Sequence, residues 1–130
     1  MNEHKVVLAG AGMMGASLAQ VYAQAGYEVA LWNGSESGLE RAKNLIAINQ
    51  ETMLKEGLLT KEDSTALLGK ITYTTSKDCM KDCGLMVEAI IENMDAKHAF
   101  WEEASRIAPE DALLATNTSG MLITEVAKPV

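Results

Sequence analysis

The stretch Lys5-Val6-Val7-Leu8-Ala9-Gly10-Ala11-Gly12-Met13-Met14-Gly15 decides the fold. Its first five residues are apolar and partly β-branched, and read as a short buried strand. Gly10, Gly12 and Gly15 follow at GxGxxG spacing, and an apolar, alanine-rich run from about Met13 to Ala25 reads as a helix. Gly10 permits the tight turn, Gly12 lets the backbone approach a pyrophosphate with no Cβ in between, and Gly15 lets the helix pack closely on the sheet. A pyrophosphate at this place meets free N–H groups at the positive end of a helix. The spacing alone is a weak signal; a strand before it and a helix after it make it the fingerprint of a dinucleotide-binding unit. Gly10, Gly12, Met13, Met14 and Gly15 are therefore the first candidate cofactor contacts.

Outward from this loop, short apolar runs alternate with longer amphipathic ones. Gly26 ends the first helix, and Tyr27 to Trp32 reads as the second strand. A long helix is expected from Ser37 to Glu56. Ser37 and Glu40 stand at capping-box spacing, and Leu39, Ala42, Ile46, Asn49 and Met53 trace one face. Gly57 stops it, and Thr60, with Asp63 three residues on, opens a short helix. Further strands are expected at Lys70–Thr74, Leu85–Ile91 and Ala112–Thr116, and further helices at Asp95–Ile107 and Met121–Ala127. The class is α/β: a Rossmann-type doubly wound parallel sheet with helices on both faces. Because such sheets commonly have six strands, a chain stopping at Lys128-Pro129-Val130 is expected to be a fragment that ends before the last strands.

The second half of the fingerprint departs from the usual form. An acidic residue normally ends the second strand and holds the adenine ribose; here it is Asn33, followed by Gly34 and Ser35. Asparagine still donates and accepts hydrogen bonds but carries no charge to repel a 2′-phosphate. Arg41 lies a turn into the next helix rather than directly after the strand. NAD(H) is expected to be preferred by less than usual, with NADP(H) admissible.

A net charge of −7 argues against non-specific nucleic-acid binding, which depends on Lys and Arg neutralising phosphates. No apolar run approaches the roughly 18 residues of a membrane span. MNEHKVVLAG lacks the form of a signal peptide, so a cytoplasmic location is expected. Cys79 and Cys83, four apart in a segment read as helical, are expected to be reduced and structural. No second Cys or His pair stands at metal-ligand spacing, so no metal is expected.

Val87-Glu88-Ala89-Ile90-Ile91-Glu92-Asn93-Met94, with Lys97 beyond it, resembles the VEAxxEN segment of the 3-hydroxyacyl-CoA dehydrogenases. Asn117-Thr118-Ser119 resembles that family's SNTSS segment, and Met14 and Lys55-Glu56-Gly57 also agree. The resemblance runs along nearly the whole chain and is strongest to short bacterial 3-hydroxybutyryl-CoA dehydrogenases. It implies that Glu92 and Lys97 contact the nicotinamide half of NAD. It places Asn117 and Ser119 beside the nicotinamide, Ser119 holding the substrate's 3-oxygen with Asn117 in support, and Asn49 against the CoA moiety. It further implies an acyl-CoA substrate, a helical C-terminal substrate and dimerisation domain outside residues 1–130, and a homodimer for the intact protein. Gly120, Thr116 and Glu56 depart from the family's usual residues. The family's catalytic histidine, in an HFFNP-like segment, and the glutamate that orients it have no counterpart; neither His4 nor His98 matches. The chain alone is therefore expected to be inactive.

Plainer roles stand beside these. Glu88 reads as a structural residue at a strand end, Ser119 also suits a helix N-cap, and Lys97 also suits a solvated helix charge. Another NAD(P)-dependent dehydrogenase, of crystallin-like or hydroxyacid type, is an alternative for the whole chain. So are a non-catalytic dinucleotide-binding module and, more distantly, a methyltransferase.

Overall fold

A computed structural model of the chain describes residues 1–118 and 120–130. Five strands, β1 (Asn2–Ala9), β2 (Glu28–Trp32), β3 (Ile71–Thr74), β4 (Cys83–Glu88) and β5 (Leu113–Thr116), form one sheet in the order β3-β2-β1-β4-β5. Every pairing is parallel, with Val7 of β1 opposite Ala30 of β2 and Met86 of β4.

The period of two along β1 divides the core. Val6 and Leu8 face α1 (Met13–Gln24), α2 (Glu36–Lys55) and α3 (Lys61–Leu68), packing with Ala16, Ala19, Leu39 and Ile46. Val7 and Ala9 face α4 (Met94–Ile107) and α5 (Ile123–Val126), packing with Met86, Phe100, Trp101 and Ala104. Only Val6–Ala9, the half of β1 covered on both faces, is apolar without alternation; Asn2–Lys5 are polar and at least partly exposed.

Outside the cysteine segment, the expected helices and strands all form, with local differences. The cap of α2 is Ser35 rather than Ser37: its hydroxyl accepts from the Gly38 N–H at 3.2 Å, which starts the helix at Glu36. Asn49 and Met53 are only half-buried, while Gln50 is buried. Gln50 Nε2 donates to Gln20 Oε1 at 2.8 Å, and the Ser64 hydroxyl donates to Gln50 Oε1 at 2.8 Å. Those bonds satisfy three buried polar side chains between α1, α2 and α3. Thr60 caps α3, accepting from the Asp63 N–H at 3.1 Å as expected. Gly57 adopts φ +72° after α2 and Gly26 φ +101° after α1, left-handed positions that suit glycine.

The segment around the cysteines is not one helix. Cys79 lies in a short 3₁₀ turn (Lys77–Met80) and Cys83 opens β4; both thiols are free. Burial pushes the Cys79 thiol up to about 11 and raises that of Cys83, so both remain protonated and weakly nucleophilic. The fourth strand ends at Glu88 instead of continuing to Ile91. No helix among the described residues is long and apolar enough to cross a membrane.

Candidate functional site

The strand order reverses between β1 and β4, so the loops leaving their carboxyl ends part and open a crevice, the usual ligand position of such sheets. A cleft of about 650 Å³ lies there, running from the glycine loop across Asn33 to Arg41 and bounded on the other side by Ala89 to Ile91.

The loop geometry explains each glycine. Gly10 has φ +120°, and a Cβ there would stand 2.4 Å from the Ala89 carbonyl oxygen. A Cβ on Gly15 would stand 1.8 Å from the Gly10 carbonyl oxygen. Both are needed by the fold, because the β1 turn, the start of α1 and the β4 loop crowd together. Gly12 differs: nothing lies within 4 Å of its Cβ position, so its bareness is not a packing requirement.

The start of α1 completes the cradle. The helices α2, α3 and α4 each have a side-chain cap, from Ser35, Thr60 and Asn93. Helix α1 has Gly12 at that position, no capping side chain and no acidic residue in its first turn. Its leading N–H groups thus open onto the cleft with the positive end of the helix behind them, an arrangement that fits a pyrophosphate. Met13 and Met14 line the cleft and are strongly exposed for their size.

Asn33, at the end of β2, closes the adenosine end. Its Oδ1 accepts from the Ala11 N–H at 3.2 Å, and its Nδ2 donates to the carbonyl and hydroxyl oxygens of Ser35, each at 3.2 Å. The side chain therefore ties the glycine loop to the start of α2 and brings no negative charge to the cleft.

Beside Ile90 and Ile91 lies a charged cluster. Glu88 and Lys97 are both fully buried, with Lys97 Nζ 2.5 Å from Glu88 Oε2. The other Glu88 oxygen accepts from the Thr116 hydroxyl at 2.6 Å, and Oε2 also accepts from the Ile90 N–H at 2.9 Å. Lys97 Nζ lies 3.3 Å from Glu92 Oε1, whose partner oxygen accepts from the Thr118 hydroxyl at 2.7 Å. The Thr118 hydrogen bond, followed by the bond and charge of Lys97, holds the half-exposed Glu92 carboxyl below its ordinary range. The cluster links three carboxyl-end segments, those following β4 and β5 and the start of α4, through one ammonium and two carboxylates.

The structure thus brings Gly10, Gly12, Met13, Met14 and Asn33 together around the cleft, with Gly15 buried behind them against Gly10 and Glu92 and Lys97 in the adjoining cluster. Lys97 is not a solvated helix charge: it shares the inward stripe of α4 with Phe100, Trp101 and Ala104. Asn117 is exposed, its N–H donating to the Glu88 carbonyl at 2.8 Å. Ser119 lies outside the described residues. Asn49 is not at this cleft: at 1.5 Å per residue it stands about 16 Å along α2 from Gly38. Sequence reasoning gave Glu88 no part in a polar centre and passed over Thr116 and Thr118 as partners. The apolar spacing of 97, 100, 101 and 104 was the signal that Lys97 points inward and needs a buried counter-charge.

Comparison with known proteins agrees with this geometry. The family model described as 3-hydroxyacyl-CoA dehydrogenase, NAD binding domain, matches residues 5–130. A probable 3-hydroxybutyryl-CoA dehydrogenase of Deinococcus radiodurans is 37% identical over 118 residues, 91% of this chain and 42% of that protein. The 3-hydroxybutyryl-CoA dehydrogenase of Mycobacterium tuberculosis is 34% identical over 124 residues, 95% of this chain and 43% of that one. Among solved structures, the (S)-3-hydroxybutyryl-CoA dehydrogenase of Ralstonia eutropha superposes with a TM-score of 0.92 at 30% identity, covering 96% of this chain and 44% of that one. The 3-hydroxybutyryl-CoA dehydrogenase of Escherichia coli gives 0.93 at 31%, covering 100% and 28%. The chain spans less than half the length of these relatives. A family match over almost every residue, on a fold shared with those enzymes, makes this chain a member of the 3-hydroxyacyl-CoA dehydrogenase family, within its NAD-binding domain.

Proposed function

We propose that residues 1–130 are the dinucleotide-binding domain of a cytoplasmic enzyme that oxidises an L-3-hydroxyacyl-CoA to the 3-ketoacyl-CoA. The observation that carries this reading is the Glu88–Lys97–Glu92–Thr118 cluster. A module that only held a dinucleotide would need the glycine cradle. It would not need a buried ammonium with two carboxylates tied to the segment where a reacting group would sit.

In this reading the N–H groups at the start of α1 hold the pyrophosphate, and Asn33 borders the adenine ribose. Glu92 and Lys97 fix the nicotinamide half. Bound NAD supplies the hydride acceptor. Ser119 hydrogen-bonds the substrate's 3-oxygen, Asn117 supports it, and Asn49 meets the CoA moiety further along α2. The proton-accepting histidine and its glutamate lie outside residues 1–130, followed by a helical substrate and dimerisation domain that forms the homodimer. NAD(H) is the principal cofactor, with discrimination against NADP(H) weakened by the neutral Asn33.

This division of labour predicts that the chain binds NADH yet turns over negligibly. Mixed with acetoacetyl-CoA and NADH, it should leave the NADH absorbance unchanged over background. Substantial oxidation of NADH would contradict the assignment of the proton-transfer group to residues outside 1–130.

A further inference from the structure

We infer that the chain also accepts NADP(H), through a 2′-phosphate subsite that Arg41 forms beside Asn33. The inference rests on the cofactor reading above and concerns its adenosine end. Three observations carry it. First, the position that normally bears a ribose-binding carboxylate is neutral, and both polar atoms of Asn33 are already engaged by Ala11 and Ser35. No negative charge there repels a phosphomonoester.

Second, the wall next to Asn33 is bare. The Cβ position of Gly38 is filled by the Asn33 side chain, whose Nδ2 would stand 2.1 Å away, but nothing lies within 4 Å of the Cβ position of Gly34. Gly34, in the cleft lining directly after Asn33, therefore leaves open space where a side chain would otherwise stand.

Third, in a protein of net charge −7, Arg41 is the one charged side chain lining this cleft among the described residues. It lies three residues after Gly38, on the same side of α2. Its neighbour Glu40 reaches instead towards Lys43, at 3.9 Å, and no ion pair holds Arg41 among the described residues. An exposed guanidinium without a partner, at the rim of an uncharged pocket, matches the planar, bidentate recognition of a phosphate dianion.

The test compares NADH and NADPH affinities of the whole chain by calorimetry. Wild-type chain should bind both within about tenfold of each other, since the phosphate gains the Arg41 contact and meets no carboxylate. Arg41→Ala, at an exposed helical position where alanine is well tolerated, should lower the NADPH-to-NADH affinity ratio about tenfold. Asn33→Asp should lower that ratio at least as far by repulsion, and a melting curve for each variant checks that it folds. NADH binding with no NADPH binding in the wild-type chain, or a ratio unmoved by Arg41→Ala, overturns the subsite while the cofactor reading stands. Binding of neither nucleotide overturns both.

Discussion

Replacing Lys97 with methionine is expected to destabilise the chain by about 3–5 kcal/mol, the usual consequence of leaving one charge of a buried pair alone. The reason is the state of Glu88. Its carboxylate is fully buried, and the ammonium at 2.5 Å is its only cationic partner among the described residues. The hydrogen bonds from Thr116 and from the Ile90 N–H would remain, but they do not neutralise a charge. Methionine fits the apolar company of Phe100 and Trp101, so the cost measures the orphaned carboxylate rather than a packing defect. Urea unfolding of the variant reads the loss directly. The double variant Lys97→Met with Glu88→Gln should recover much of it, because the residual amide is polar but uncharged. A loss under about 1 kcal/mol for the single variant, the range of exposed pairs, would contradict the buried-pair account.

Gly12→Ala is expected to keep the fold and lose the nucleotide. The position has ordinary extended geometry, φ −75°, and open space where the new methyl group would go. As the helix cap it gives up about 0.5–1 kcal/mol on losing glycine. The methyl group would nevertheless stand between the α1 N–H groups and a pyrophosphate. Displacing two charge-assisted hydrogen bonds of about 1.5–3 kcal/mol each should weaken NADH binding about 100-fold to 10,000-fold. Gly15→Ala makes the opposite comparison. Its methyl group would lie 1.8 Å from the Gly10 carbonyl oxygen, so folding itself should suffer, with or without ligand. Melting temperatures and NADH titrations of the two variants separate the roles. An unchanged NADH affinity in Gly12→Ala would mean that the pyrophosphate does not approach this loop.

The layout was legible in the sequence wherever the signal was local and periodic. The β1 strand, the glycine turn and the α1 helix carry their own spacing, and Gly26 and Gly57 mark helix ends through the backbone freedom that only glycine has at left-handed φ. The cap of α2 was displaced by two residues because Ser35 and Ser37 are chemically alike. What selects Ser35 is Asn33 reaching its carbonyl and hydroxyl oxygens, a contact set by where β2 ends. The buried Gln20–Gln50–Ser64 bonds were illegible for a similar reason: each glutamine looks solvent-facing until three helices converge on it. At the site, the glycine cradle was readable from spacing. The charged cluster was not, because Glu88, Lys97, Glu92, Thr116 and Thr118 come from segments that only the parallel sheet brings together. Arg41 was visible as a residue but not as part of the cleft, since its place in the lining depends on how α2 packs after β2.

The central claim is that the crevice between β1 and β4 holds a nicotinamide dinucleotide, and titration of the chain with NADH under tryptophan fluorescence tests it most directly. Trp32 precedes Asn33 and packs its ring against Phe100 at 5.4 Å, so its emission reports on the β2 end of the cleft. The account predicts saturable quenching by NADH, shifted to at least about 100-fold higher concentration by Gly12→Ala. No saturable change with NADH, together with no heat of binding by calorimetry, would contradict it.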